Sequence, residues 1–207
     1  MRKSEIELLP ELEKYIQRLD FTSIPQHRKE ILQQLITFGK DQQKEIQLNF
    51  ICTHNSRRSQ FAQLWAQLAA ACYGVELSSY SGGLEVTAFN PRAVNAVQRT
   101  GFHVQQQSSE DNPEYELSFS AAFPAVKMFS KHYDHPRNPS EGFAAVMTCS
   151  HADENCPFIP GAEKRIPLNY EDPKDFDDTP LESEKYDERC RQIATEMFYA
   201  FSQIKQE

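Results

Sequence analysis

The feature that most constrains the fold of this chain is a short apolar run that passes directly into a loop carrying a thiol and two arginines. Residues 46–51 have the composition of a buried strand, and the polar residues 52–59 follow them without a break. From Ser59 the apolar side chains recur at helical spacing until Gly74, and they are Phe61, Leu64, Trp65, Leu68 and Cys72. The sequence therefore predicts a strand, a loop and a helix in immediate succession.

Strand and helix patterns alternate along the rest of the chain. A helix is predicted after Asn90-Pro91 and ends at Gly101, and the last helix follows the capping box that begins at Thr179. Candidate strands lie at residues 75–81, 115–119, 125–129, 143–148 and 165–170. This alternation predicts an α/β fold, in which a mainly parallel central sheet is flanked by helices and ligands bind beyond the carboxyl ends of the strands.

Two amphipathic helices are predicted before this fold begins. Apolar residues recur at helical spacing in residues 4–20 and in residues 31–38, and we expect Gly39 to end the second helix. We therefore divide the chain into an N-terminal helical extension, residues 1–45, and an α/β domain, residues 46–207. A chain of 207 residues, 39% of them hydrophobic, is long enough to bury one sizeable core.

The composition limits the classes of function. The formal net charge of -8 argues against a general electrostatic attraction to nucleic acid or anionic lipid. No segment approaches the roughly 20 apolar residues that span a bilayer, so we expect a cytoplasmic protein without nucleic-acid or membrane partners. The odd number of cysteines favours free, buried or redox-active thiols over a disulfide framework, and they are Cys52, Cys72, Cys149, Cys156 and Cys190.

The polar loop has the chemistry of an oxyanion site. A loop between a strand and a helix turns backbone N–H groups inward, and the helix N-terminus adds partial positive charge. The planar guanidinium of Arg58 can bind two oxygens of an anion, and the same field favours the nucleophilic thiolate of Cys52. The expected anion-binding residues are Thr53, His54, Asn55, Ser56, Arg57 and Ser59.

Three of these residues have more particular expected roles. Asn55 would fix the loop through side-chain hydrogen bonds, and the Ser59 hydroxyl would donate to the Cys52 thiolate. Arg57 is expected to face solvent at the rim, since the loop has room for one guanidinium. The alternative interpretation is a buried thiol beside a pair of surface arginines, with no site at all.

These residues resemble the low-molecular-weight protein-tyrosine phosphatase superfamily, which includes the thioredoxin-coupled arsenate reductases. The resemblance covers residues 46–207, and its motifs occur in the family's order. They are Cys52-Thr53-His54-Asn55-Ser56-Arg57-Arg58-Ser59, Met147-Thr148-Cys149-Ser150-His151-Ala152-Asp153-Glu154-Asn155-Cys156-Pro157, and Glu171-Asp172-Pro173. The resemblance implies a phosphatase-like fold with Cys52 as nucleophile and Asp172 as the acid that protonates the leaving oxygen.

The same resemblance separates two kinds of enzyme. A phosphatase needs no second thiol, whereas a reductase supplies two electrons through further cysteines. In the resembling reductases Cys149 would be the second nucleophile, and the Cys149–Cys156 disulfide would be presented to thioredoxin. Lys174 and Asp175 follow Asp172-Pro173 where tyrosine phosphatases of this family commonly have aromatic residues, although Tyr170 or Phe176 would be substitutes.

Several alternatives remain open at the level of the sequence. Cys149 could be a core thiol, and zinc could be bound by His151 with two cysteines, although the spacing lacks a close Cys-x-x-Cys pair. His54 replaces a residue that is often glycine in the family, and Gln63 replaces a frequent Glu that would support a cation site.

The sequence therefore favours an arsenate reductase-like enzyme that binds no metal or cofactor of its own and uses an external dithiol reductant such as thioredoxin. The second hypothesis is a phosphatase acting on phosphotyrosine or a small phosphoester. A binding module for oxyanions or phosphoproteins, without catalysis, is the third. The expected small-molecule ligands are arsenate, phosphate or a phosphoester.

Overall fold

The computed structural model describes residues 6–155 and 158–204. Two helices precede the sheet, and from residue 46 onward helices and strands alternate except for four successive strands between α4 and α5. In chain order the elements are α1 (Pro10–Ile16), α2 (Gln26–Asp41), β1 (Ile46–Cys52), α3 (Arg58–Tyr73), β2 (Leu77–Gly83), α4 (Pro91–Arg99), β3 (His103–Gln106), β4 (Tyr115–Ser118), β5 (Val126–Met128), β6 (Phe143–Met147), α5 (Ser150–Asn155), β7 (Ala162–Pro167) and α6 (Glu182–Ile204). Short 3-10 turns lie at Phe21–Ser23 and Pro173–Phe176.

The central sheet is parallel and has the strand order β2-β1-β6-β7. β1 and β6 are adjacent, with Ile51 paired to Met147, so both strands end at the same edge. The amide of Thr148 donates to the carbonyl of Ile51 at 2.7 Å and extends this pairing beyond β6. The segments that follow Cys52 and Thr148 therefore leave the sheet side by side, which confirms the predicted parallel α/β architecture.

Both faces of the sheet are covered, as a buried parallel sheet requires. Alternate residues of β1, among them Leu48 and Phe50, join α2, α3 and α6 in the larger hydrophobic cluster. Ile51 and Cys52 face a smaller cluster on the other side, which also contains Met147, Cys149 and Ala152. The two cysteines singled out from the sequence thus share one small hydrophobic cluster at the carboxyl edge.

The N-terminal helices belong to the same core as the sheet. Leu12 of α1 and Leu32 of α2 are fully buried in the larger cluster. The ring of Tyr15 stacks on Trp65 with centroids 5.6 Å apart, and the Leu9 amide donates to the Phe119 carbonyl at 2.9 Å. The boundary between residues 45 and 46 is therefore crossed by extensive packing.

Two predicted helix limits differ from the structure. The helix expected at residues 4–20 is described only as α1, because Pro10 sets its first turn and Leu8 bridges to Ser120; residues 1–5 lie outside the described part of the chain. The second helix continues through Gly39 to Asp41. A Cβ atom at Gly39 would lie 2.7 Å from the Cδ1 atom of Ile204, so glycine permits close helix packing here rather than ending the helix.

Each strand of the central sheet was predicted, although the limits of β7 differ, and the second sheet was predicted only in part. The candidate strands near residues 115 and 126 pair with β3, which was not predicted, in a separate antiparallel sheet of order β3-β4-β5. β7 begins at Ala162, three residues before the predicted start, and ends at Pro167 rather than residue 170. Most of its side chains are exposed or half-buried, because it is an edge strand, so it lacks the apolar run that marks β1 and β6.

Within the described ranges α6 is the longest helix, and it has charged residues throughout its first half. No helix within residues 6–155 and 158–204 combines the length and the apolar composition needed to cross a membrane.

Candidate active site

The loop after β1 turns its peptide carbonyls outward, toward flanking segments. Each carbonyl from residue 52 to residue 56 accepts a hydrogen bond from a group outside the loop's interior. The donors, in order, are Leu84 N (3.2 Å), Glu85 N (2.8 Å), Ser130 Oγ (2.9 Å), Gln60 Nε2 (2.9 Å) and Asn90 N (2.9 Å). Because a trans peptide directs its C=O and N–H in opposite directions, the amides of residues 53–57 face the interior of the loop. Inward-facing amides next to the start of α3 are an arrangement suited to binding an anion.

A chain of side-chain hydrogen bonds reaches the sulfur of Cys52. Asn55 donates from Nδ2 to the Ser59 hydroxyl oxygen at 2.9 Å, and that oxygen lies 3.1 Å from the Cys52 sulfur. Since Ser59 accepts from the amide, its own hydrogen is available for the sulfur. The Asn55 Oδ1 atom accepts from the Lys131 amide at 2.9 Å, which ties the loop to the segment after β5.

Asn55 is also where the loop backbone is unusual. Its φ is +46°, in the left-handed region that asparagine tolerates better than most residues. His54, in contrast, is not among the described non-glycine residues with positive φ, so its β-carbon causes no strain of that kind. The His54 imidazole lies 3.2 Å from the Glu85 carboxylate, at the exposed rim.

Arg58 and Asp172 form one unit at the edge of the loop. Arg58 donates from Nη2 to the Asp172 carboxylate at 2.6 Å and from Nη1 to the Tyr170 carbonyl at 2.9 Å. Asp172 also caps the 3-10 turn Pro173–Phe176 by accepting from the Lys174 amide. The buried Nε–H of Arg58 has no acceptor within the described residues.

Arg57 does not face solvent, and this expectation was wrong. Its side chain is only 10% exposed, its Nε donates to the Tyr186 hydroxyl at 3.1 Å, and its Nη1 lies 3.7 Å from Asp172. The cause is α6, whose first turns cover the start of α3, a long-range contact that the loop sequence does not signal. Burial, together with a hydrogen bond to Asp177, raises the pKa of Tyr186 to about 12, so the phenol remains a neutral bridge between Arg57 and Asp177.

The second thiol lies beside the loop. The Cys149 sulfur is 3.4 Å from the Thr53 hydroxyl oxygen, which in turn lies 3.2 Å from Nδ1 of His151. The Ala152 amide donates to the same sulfur at 3.4 Å, and Cys149 is 1% exposed. Neither Cys52 nor Cys149 is in a disulfide.

The remaining expected residues are placed as follows. Ser56 donates its hydroxyl to the Ala88 carbonyl at 2.7 Å, so it braces the loop from outside. Gln63 accepts from the Ser81 hydroxyl at 2.6 Å and is buried. Cys156, the third cysteine of the expected relay, lies outside the described residues. Within residues 6–155 and 158–204 no three His, Cys, Asp or Glu side chains are grouped to hold a metal ion.

The structure also restricts the candidates for an aromatic wall. Tyr170 is 4% exposed, and its ring lies under the Arg28 guanidinium, 4.7 Å from centroid to Cζ, so it cannot line an open substrate cleft. Phe176 lies on the 3-10 turn after Asp172, with the Lys185 ammonium 5.4 Å from its ring centroid. Phe176 therefore remains the one aromatic side chain of that pair that is not sealed inside the core.

Sequence reasoning did not identify three residues that organise this site: Arg28, Tyr186 and Lys131. Each contacts the site from a distant part of the chain, through Asn169, Arg57 and Asn55 respectively. An Arg in an amphipathic helix or a Tyr on an apolar helix face carries no local signal of such a contact.

Comparisons with known proteins identify similar sequences among the arsenate reductases. No model of a known protein family matches the chain. Arsenate reductase 2 of Staphylococcus epidermidis is 30% identical over 124 residues, which cover 60% of this chain and 76% of that protein. Arsenate reductase 2 of Staphylococcus haemolyticus is 32% identical over 124 residues, with the same coverage of both chains.

A solved structure shows the same fold. The low-molecular-weight phosphotyrosine phosphatase of Vibrio cholerae O395 superposes with a TM-score of 0.54 at 14% identity, covering 78% of this chain and 97% of that one. The Cys52 loop at the carboxyl edge of a parallel sheet is thus set in a fold shared with this phosphatase, while the relatives identified by sequence are named arsenate reductases. The chain therefore belongs to the arsenate reductase family, and it has the fold of a low-molecular-weight phosphotyrosine phosphatase.

Proposed function

We propose that this protein reduces arsenate to arsenite, with Cys52 as the nucleophile and Cys149 as the second thiol. One observation carries the proposal: the segments that carry the two thiols leave adjacent parallel strands at one edge, and the Cys149 sulfur lies 3.4 Å from the hydroxyl oxygen of Thr53, the residue after Cys52. A hydrolase would require only Cys52, whereas a two-electron reduction requires a second thiol within reach of the first. The relatives named arsenate reductase support the same conclusion.

The first step forms a covalent adduct. Arsenate binds to the inward amides of residues 53–57 and to Arg58, and the Cys52 thiolate attacks arsenic. The As–O bond breaks as the S–As bond forms, and Asp172 gives its proton to the leaving oxygen, which departs as water. The Ser59 hydroxyl, oriented by Asn55, stabilises the thiolate before attack.

The second step transfers the electrons. The Cys149 thiolate attacks the Cys52 sulfur, so an S–S bond forms, the S–As bond breaks, and its electron pair stays on arsenic. Arsenic(V) thereby becomes arsenic(III) and leaves as arsenite, while two thiols become one disulfide. Cys156 then attacks the Cys149 sulfur, which frees Cys52 and leaves a Cys149–Cys156 disulfide.

An external dithiol completes the cycle, and we propose a thioredoxin-like reductant acting in the cytoplasm. Thiol–disulfide exchange transfers two electrons to the Cys149–Cys156 bond and restores both thiols. Within this scheme the protein needs no bound cofactor, because the cysteines carry the electrons.

The second candidate is a phosphatase that uses the same Cys52, Arg58 and Asp172. The fold shared with the Vibrio cholerae phosphatase favours it, since the anion loop and the acid serve both reactions. In that case water hydrolyses the phosphocysteine, and Cys149 takes no part. A module that binds oxyanions or phosphoproteins without turnover would retain only the loop.

A paired assay distinguishes these functions. Purified protein is tested for arsenate reduction with thioredoxin, thioredoxin reductase and NADPH, and for hydrolysis of p-nitrophenyl phosphate. Cys52→Ser and Cys149→Ser are compared with Cys190→Ser, a matched control whose thiol is buried beside Trp65 in the core. We expect arsenate reduction to be lost in the first two variants and retained in the control.

The outcomes separate the three hypotheses. Arsenate reduction at the parental rate by Cys149→Ser would refute the relay. Hydrolysis without any arsenate reduction, lost only in Cys52→Ser, would establish the phosphatase instead. Phosphate binding without arsenate reduction or phosphate-ester hydrolysis would support the non-catalytic binding module.

A further inference from the structure

A buried ion pair joins the N-terminal helices to the last helix. Arg28, near the start of α2, donates from Nε and Nη2 to the two carboxylate oxygens of Glu196 on α6, at 2.9 and 2.6 Å. Arg28 is 8% exposed and Glu196 1% exposed, so both charges are removed from water. A buried pair of this kind adds little net stability compared with apolar residues, so its geometry invites another explanation.

The third donor of Arg28 points to the segment that carries the acid. Nη1 donates to the Asn169 carbonyl at 2.7 Å, and the Arg28 guanidinium covers the ring of Tyr170. The Tyr170 hydroxyl donates to Glu196 at 2.7 Å. Burial and the neighbouring Glu196 raise the pKa of Tyr170 well above its ordinary value, so the phenol remains a donor. Residues 169–172, which we call the acid segment, are thus fixed from one side by Arg28 and Glu196.

The other side of the acid segment contacts the active site at three points. The Tyr170 carbonyl accepts from Arg58 at 2.9 Å, and the Asp172 carboxylate accepts from Arg58 at 2.6 Å. The side-chain amide of Asn169 is oriented so that both its oxygen and its nitrogen have hydrogen-bond partners. In this orientation Nδ2 donates to the Cys149 carbonyl at 3.2 Å. Two residues of the acid segment, Tyr170 and Asp172, therefore contact Arg58, and a third, Asn169, contacts the backbone of Cys149.

We propose that Arg28 is a positioning residue for the active site: it holds the acid segment, and through it sets Arg58 and Asp172 relative to the Cys52 loop. The inference rests on the proposed function for its kinetic consequence, but the geometry of the anion clamp can be measured without turnover. The N-terminal extension is then part of the catalytic apparatus, although none of its residues touches the reacting atoms.

The physical argument is the precision that catalysis demands. A displacement of about 1 Å at a group that orients substrate lowers the rate by about 10²-fold. Besides the Asp172 carboxylate, Arg58 donates a hydrogen bond to the Tyr170 carbonyl. If the acid segment shifts, Arg58 loses that partner, and both oxyanion affinity and proton transfer from Asp172 decline together.

The first test is Arg28→Lys in the full-length protein. Lysine keeps the charge opposite Glu196 but lacks the planar fork that reaches Glu196 and the Asn169 carbonyl together. Arg99→Lys is the matched control, because Arg99 pairs with Asp187 between α4 and α6 through the same kind of fork, away from the acid segment. The measurements are kcat and KM for arsenate, the Kd for inorganic phosphate by calorimetry, and the melting temperature.

We expect Arg28→Lys to lower kcat and to raise the phosphate Kd, each by at least about tenfold, with both parameters unchanged in Arg99→Lys. The double variant Arg28→Met/Glu196→Met removes the charges and retains apolar packing, and it should behave in the same way. Parental kcat and phosphate affinity in both folded variants would overturn the inference. A parent protein that reduces no arsenate would refute the proposed function. The phosphate affinities of the variants would still test whether Arg28 positions the active site.

If neither variant folds, the positioning role of Arg28 can be tested in the unaltered protein. Coupling between two sites is reciprocal, so phosphate bound at the Cys52 loop should stabilise the contacts of Arg28. Hydrogen exchange of residues 26–30 and 169–172 should then slow when inorganic phosphate is added. Exchange at residues 26–30 that does not respond to saturating phosphate would overturn the proposal.

Discussion

The hydroxyl oxygen of Thr53 lies 3.4 Å from the sulfur of Cys149, although the two residues are 96 positions apart. The pairing of Ile51 with Met147 in adjacent parallel strands produces this contact, because it brings the two following segments to the same level. Thr53 belongs to the anion loop and Cys149 to the segment of the expected relay. In the proposed mechanism this contact joins the substrate-binding loop to the second thiol.

The Thr53→Val variant should lower the reactivity of the Cys149 thiol without weakening anion binding. Valine preserves the shape of threonine but removes the hydroxyl, which can donate to the Cys149 thiolate, and the loss of one hydrogen bond to a charged group costs about 1.5–3 kcal/mol. Alkylation of Cys149 by iodoacetamide, followed by mass spectrometry in a Cys52→Ser background, should become about tenfold slower. Phosphate affinity should stay at the parental value.

Thr53→Ser is the matched control for this prediction. It keeps the hydroxyl and removes only a methyl group, so alkylation should proceed within about twofold of the parental rate. Equal rates in the valine and parental proteins would show that the 3.4 Å contact does not activate Cys149.

Asp172→Asn should impair the first chemical step and preserve binding. Arg58 and the Lys174 amide donate to different oxygens of Asp172, so asparagine keeps an acceptor oxygen for one of the two, but it has no acidic proton to give to the leaving oxygen. General acid catalysis contributes about 10²–10⁴-fold, so kcat for arsenate should fall by that order. Removing a negative charge from the Arg58 guanidinium should leave phosphate binding unchanged or tighter, as calorimetry can show.

A fall in phosphate affinity to the same degree as kcat would contradict the assignment. It would indicate that Asp172 acts only by orienting Arg58, since the two share a contact of 2.6 Å. Asp175→Asn, on the neighbouring turn, is the control and should keep parental kinetics.

Local patterns were sufficient to predict the loop after β1 but not the distant residues that contact it. β1, the loop and α3 are contiguous, so strand composition, the polar residues and Gly74 identify them without tertiary information. Arg57 and Gly39 behave differently because their environments come from α6, more than 100 residues away. Arg28 is the extreme case, since its partners Asn169 and Glu196 are 141 and 168 positions distant.

The division of the chain at residue 45 shows the same limit. An amphipathic pattern identifies a helix and its apolar face, but it does not say which surface that face covers. In the structure the apolar faces of α1 and α2 pack into the larger cluster, together with Phe50 of β1 and Phe201 of α6. Residues 46–207 consequently have a core that is completed from outside that range.

We therefore expect a protein truncated to residues 46–207 to be unfolded or aggregated. The deletion removes four fully or almost fully buried side chains, each contributing about 1.5–3 kcal/mol, a sum comparable with the total stability of a typical domain. They are Leu12, Leu32, Leu35 and Ile36. Far-ultraviolet circular dichroism and the fluorescence of Trp65, which stacks on Tyr15, would report the loss. A cooperative thermal transition in the truncated protein would contradict this prediction.

The last prediction concerns Lys131, whose amide supports Asn55 and whose ammonium is buried over the ring of Phe129. Lys131 is 4% exposed, and burial, with repulsion from Arg137, lowers its pKa from 10.5 to about 8 despite the attraction of Glu114. The charged form is therefore disfavoured in the folded state. At pH 7 Lys131 is charged in both the folded and the unfolded protein. The full free-energy cost of burying the charged ammonium therefore opposes folding.

Lys131→Met should consequently stabilise the protein at pH 7, by about 1–3 kcal/mol in urea unfolding under reducing conditions. Between about pH 8 and 10.5 the unfolded lysine binds a proton that the folded one has lost, so rising pH stabilises the parent relative to the variant. The advantage of the variant should shrink across that range. A constant difference between Lys131→Met and the parent from pH 7 to 10 would refute the account.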